Sequence, residues 1–243
     1  MKITSDSYDT ADERLEKWYS FQDHSPSFWK RGIELNPNDN VCVVKGTTLD
    51  NGEIYKQWQW THNMVTTVGD EYYAKKIAGK NASGSAYGDS DFQTDGIAFH
   101  VTTLSGSDPT RGCMVLGNGA VGTIAQGDDY ADLAGELDKS SGTDRNSTKE
   151  LRTNYPRFSD NDSDNTGGAA DQVTWSYEWA TGDFNTTSVN DLTGGVIVDR
   201  AGNATPADTT KILTRFSFAS PFEKTASDTL KVFVNHTFEG AGT

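Results

Sequence analysis

The residues best suited to ion chemistry stand close together in SDNDSDNTGGAADQV, where Asp160, Asp162 and Asp164 take alternate positions and Asp171 follows. Hard carboxylate oxygens at that spacing can wrap a calcium ion, and Asp171 falls where the last ligand of an EF-hand-type loop stands. These four are the candidate metal ligands, and calcium is the one cofactor the sequence brings into view. Three features oppose it. Asn165 stands where an EF-hand needs glycine, Asp171 replaces the usual bidentate glutamate, and a strand pattern rather than a helix follows. A solvated connecting loop is the preferred reading, since Asp, Asn, Ser and Gly are turn residues in their own right.

Catalytic chemistry finds less to work with. His24, His62, His100 and His236 form no HxH or HExxH pair, so a metal-ligand set would have to be assembled by the fold. His100 and His236 lie inside strand patterns, where a hydrogen-bonded structural histidine is the commoner outcome. No GxSxG elbow, GxGxxG fingerprint or GxxxxGK[ST] loop occurs, and LGNGAVG resembles a phosphate loop only loosely. Nothing singles out a pair of carboxylates for glycoside cleavage. The expectation is a protein without catalytic residues. Cys42 and Cys113 are too few for a disulfide framework or a structural zinc site and read as buried small thiols. N-x-S/T sequons at Asn81, Asn146, Asn161, Asn185, Asn203 and Asn235 are expected by chance in a chain this rich in Asn, Ser and Thr.

Charge and composition narrow the partners. The formal charge of −14 would repel phosphate backbones, so direct nucleic-acid binding is not expected. No apolar run approaches the ~18 residues of a membrane span, and the start, MKITSDSYDTADERLEKWYS, has no apolar signal core. Synthesis in a cytoplasm is therefore expected. A hydrophobic content of 34% and a mean hydropathy of −0.64 are lean for 243 residues. Such a chain suits a loop-rich β protein or a subunit that completes its core against neighbours. The aromatic residues could line a glycan-binding face, but more often they fill the inner layer of a sandwich.

The elements follow from periodicity. Residues 1–40 are polar and hold one predicted helix, TADERLEKWY, which Thr10 can cap and which lines up Leu15, Trp18 and Tyr19. This segment reads as an N-terminal arm that docks elsewhere, and 41–243 as a β domain. VCVVKGTTL and IYKQWQW are strands joined by the hairpin signal DNG. NMVTTVGDEYYAKKIAG is the best helix, with Val65, Val68, Tyr72 and Ile77 near one stripe, Thr66 or Thr67 as cap and Gly79 as terminator. Residues 80–95 read as a loop, GIAFHVTTL and CMVLGNGAVGT as strands with glycine turns, and DDYADLAGEL as a single helical turn.

From Gln172 onward the pattern is β. Val173, Trp175, Tyr177 and Trp179 share one face of QVTWSYEW, opposite Thr174, Ser176 and Glu178. GGVIVD is a short apolar strand. Ile212, Thr214, Phe216 and Phe218 alternate with Leu213, Arg215 and Ser217, and Leu230, Val232, Val234, His236 and Phe238 form one row. The fold class is thus mainly β, an antiparallel, jelly-roll-like β-sandwich with one or two short helices and an N-terminal arm.

These segments also form an ordered set. NMVTTVGDEYYAKKIAG resembles the N-[LM]-V-T-x-x-G segment of a widespread group of tailed-phage virion structural proteins. MVLGNG, DDYADLAGEL and VTWSYEWATGDFN are similar to that group's M-x-L-G-x-G turn, D-x-x-L-x-x-E stretch and V-x-Y-x-F strand. ILTRFSFASPFEKTASDTLKVFVNHTF resembles its closing unit, an LxRxxF strand, a K-[TS]-x-x-D-[TS]-L turn and a last alternating strand. TGGVIVD departs from it, with Thr193, Gly194 and Gly195 where an acidic residue usually precedes glycine. The likeness runs from residue 63 to the C-terminus and leaves the first sixty residues without a counterpart. It implies a jelly-roll structural subunit located in the virion, a capsid-decoration, vertex, neck or tail accessory that forms homo-oligomers and binds other virion proteins. A receptor-binding or carbohydrate-binding β-sandwich, using calcium and a glycan receptor, is the alternative.

Overall fold

The computed structural model describes residues 41–50, 52, 54–81, 83–95, 97, 99, 112–129, 148–152, 155–159, 172–183, 191–199 and 211–237. The arm at 1–40 with its predicted helix, most of DDYADLAGEL, His24, His100, and Asp160, Asp162, Asp164 and Asp171 lie outside the described residues.

The described chain forms ten strands and two helices. In order they are β1 (Val41–Thr48), β2 (Ile54–Thr61), β3 (Asn63–Val65), α1 (Thr67–Ala78), α2 (Asp89–Thr94), β4 (Cys113–Gly117), β5 (Thr148–Glu150), β6 (Arg157–Ser159), β7 (Gln172–Trp179), β8 (Leu192–Val198), β9 (Ile212–Phe222) and β10 (Asp228–Thr237). They make two five-stranded sheets, β2-β1-β10-β7-β6 and β3-β9-β8-β4-β5, with every pairing antiparallel. This is the strand inventory of the antiparallel β-sandwich class expected from the sequence. Each sheet belongs to its own compact unit, and the chain passes between the two units four times, after His62, Leu151, Thr181 and Ala226.

The first sheet is built on β10, which sits between β1 and β7. Leu230, Val232 and Val234 face Trp179, Tyr177 and Trp175, and Val232 and Val234 also face Val43 and Val41. All eight are buried in one apolar layer. Removing each of these side chains from water contributes roughly 1.5–3 kcal/mol to the unit's stability. Hairpin β1–β2 closes as the DNG signal requires. Gly52 donates its N–H to the Leu49 carbonyl (2.9 Å) and takes a φ of +84°, open to glycine without strain.

The opposite face of this sheet carries polar residues. Thr174 and Ser176 alternate with the tryptophans as foreseen, yet they are fully buried, as are Phe233 and Asn235. Polar residues survive there because they are paired: the Thr174 hydroxyl donates to Asn235 Oδ1 (2.5 Å). Arg152 donates its backbone N–H to the Ser176 carbonyl (3.0 Å) and Nη1 to Ser176 Oγ (3.2 Å). Its guanidinium also lies over the rings of Tyr155 and Phe233.

In the second sheet, β8 runs between β4 and β9. Cys113, Val115, Val196, Val198 and Ile212 make its apolar cluster. Gly195 is needed for close approach, since a Cβ there would lie 2.8 Å from Phe216 Cζ and 3.0 Å from Leu116 Cδ2. Leu213 and Arg215, which alternate along β9 with Ile212, Thr214 and Phe216, are buried as well.

Helix α1 is shorter than the 63–79 segment suggested. Asn63–Val65 pairs with β9 instead, with Val65 opposite Thr214. Thr66 then caps the helix: its Oγ1 accepts from the Gly69 N–H (3.0 Å) and donates to the Ile212 carbonyl (2.5 Å). Gly79 ends it in the left-handed region, donating to the Lys75 carbonyl. The buried side is Gly69, Tyr72 and Tyr73, whereas Ile77 is 77% exposed. Tyr72 meets Tyr73, Phe92 and Phe99 edge to face at 5.3–5.4 Å. That aromatic cluster explains α2, in a segment read as loop, because Phe92 seats the short helix against Tyr72. Ile97 and Phe99 are buried but lie in no strand, contrary to the reading of GIAFHVTTL, whose other residues lie outside the described ones.

Candidate functional site

The four candidate calcium ligands fall outside the described residues. Among the described residues, no group of three His, Cys, Asp or Glu side chains is placed to hold a metal ion. His62 is exposed at the end of the first sheet. His236 is buried in β10 opposite Val173, and burial pushes its pKa down to about 3, so the imidazole is neutral at ordinary pH. Cys42 and Cys113 are buried free thiols, as expected. Burial raises the Cys42 pKa well above its ordinary value, which keeps it in the unreactive thiol form. Asn235 of the sixth sequon is buried in β10, closed to any modifying group.

Of the charged constellations among the described residues, two involve α1 or the strand beside it, β9. One is at the surface of α1, where Lys75 Nζ lies 2.6 Å from both Glu71 Oε1 and Asp95 Oδ2 and 5.0 Å from the centre of the Tyr87 ring. The Tyr87 hydroxyl donates to the same Asp95 oxygen. Partial burial draws the Lys75 pKa down, but the bonds to Asp95, Glu71 and Tyr87 outweigh it and raise it overall. Lys75 and then Tyr87 hold the Asp95 carboxyl below its usual range. Glu71 and Lys75 are readable as a helical i, i+4 pair; Asp95 and Tyr87 join only through the turn that brings α2 back to α1. This network fixes a surface turn and leaves its lysine fully charged, unsuited to nucleophilic work.

The other constellation is buried. Arg215 of β9 reaches Asp128, and Asp128 Oδ2 also accepts the Ala125 N–H (2.9 Å). Nearby, the Gln126 carbonyl accepts the Thr67 N–H (2.8 Å), and Gln126 Nε2 donates to Asp70 (2.6 Å). The loop after β4 is thereby tied both to β9 and to the first turn of α1. At its start, Thr193 Oγ1 is within donating distance of the carbonyls of Gly117 (3.2 Å) and Gly119 (2.6 Å).

These ties join the segments quoted for the resemblance. Arg215 belongs to the LxRxxF strand, Asp128 opens DDYADLAGEL, and Gly117–Gly119 belong to MVLGNG. In the closing unit Leu213, Arg215, Phe218, Lys224, Asp228 and Leu230 are all buried. The Lys224 ammonium, at the turn after β9, donates to the Thr225 carbonyl (3.3 Å). Sequence patterning exposed the apolar members of this set but gave no sign that its charges point inward. No protein-family model, no curated protein and no solved structure matches the chain.

Proposed function

We propose that this protein is a structural subunit of a tailed-virus particle, a decoration, vertex or neck and tail accessory that assembles as an oligomer and performs no catalysis. The observation that carries the reading is the burial of Arg215, Lys224 and Asp228 within the closing unit. Buried charges are costly unless partnered, and their spacing here is that of the virion-protein motif. Residues chosen to brace strands and turns speak for an architectural part, whereas a reactive site would hold its ionisable groups open to substrate. The acidic chain suits a particle surface, where like charge keeps particles dispersed. A lean core gains from docking, because binding a partner stabilises the bound form by mass action.

The test combines two measurements. Light scattering on the purified full chain should give a defined oligomer, and peptide mapping of purified particles of the encoding virus should recover the protein in fixed copy ratio to the capsid or tail subunits. A chain that stays monomeric at high concentration and is missing from the particles overturns the proposal.

A further inference from the structure

We draw no further inference here: the strongest candidate, the outward face of α1 where Ile77 lies exposed beside Ala74 and Ala78, is an unpartnered apolar face and nothing in the structure shows what covers it.

Discussion

Arg215 and Asp128, 87 residues apart in sequence, form an ion pair whose side chains are only 3% and 10% exposed. Charge separation of this kind is tolerated inside a protein only while both partners remain. Taking one away leaves the other desolvated and uncompensated.

Asp128→Ala should therefore cost about 3–5 kcal/mol of unfolding free energy. Arg215→Met combined with Asp128→Ala should be less destabilised than the sum of the two single changes, because no lone charge is left behind. Urea denaturation of the four proteins in the cycle measures this. Single-variant losses that simply add would show that the pair is not coupled.

Thr193 ties β8 to the turn after β4 through its hydroxyl. It faces two carbonyl oxygens, those of Gly117 (3.2 Å) and Gly119 (2.6 Å). Thr193→Val keeps the shape but removes the donor, and should cost about 1–2 kcal/mol. Thr193→Glu sets a carboxylate against those oxygens, so it should be the worse of the two. Thermal unfolding of both variants checks the order. A glutamate variant as stable as the natural chain would mean that the loop after β4 rearranges freely.

What the sequence made legible follows from length and period. Strands β7 and β10 carry enough alternation for Trp175, Tyr177, Val232 and Val234 to be placed on one buried face. The three-residue strands β3, β5 and β6 are too short to show any period, and α2 offers only Phe92 as an apolar anchor. The inward position of Thr174, Ser176 and Arg215 was hidden for another reason. A polar residue is read as exposed unless its partner is known, and the partners Asn235, Arg152 and Asp128 come from distant parts of the chain. The stripe drawn through Val65 and Ile77 failed because β3 captured Val65 before the helix began. The proposed calcium ligands lie outside the described residues, so that reading stands as a sequence expectation.

Gly69 offers a case where helix propensity predicts the wrong sign. Alanine in the interior of a helix is normally favoured over glycine by ~1 kcal/mol. Here its Cβ would stand 2.3 Å from the Leu213 carbonyl oxygen and 2.7 Å from Val65 Cγ1. The first obstacle is backbone of β9, so relief requires moving the helix off the sheet. Gly69→Ala is expected to lose about 1–3 kcal/mol net, the usual cost of overpacking. Gly79→Ala meets no neighbour within 4 Å but would hold a φ of +62°, at a cost of about 1 kcal/mol. Chemical denaturation should rank Gly69→Ala as the more harmful; a stabilised Gly69→Ala would refute the close approach of α1 to β9.

His236 should leave a signature in the pH dependence of stability. Burial lowers its folded-state pKa to about 3, below the ordinary value of 6.5. The unfolded chain therefore takes up a proton that the folded chain refuses as pH falls through 6.5. The stability involved is fully present above pH 6.5 and is lost progressively towards pH 3, with a limiting slope of about 1.4 kcal/mol per pH unit. Between pH 7 and 4.5 the loss from this group alone comes to roughly 2–3 kcal/mol. Carboxylates contribute to the same profile, so the informative quantity is the difference between the natural chain and His236→Gln. Urea midpoints measured across this range should fall less steeply for the variant, even if it is less stable at pH 7. Parallel profiles would mean that the imidazole reaches solvent and titrates alike in both states.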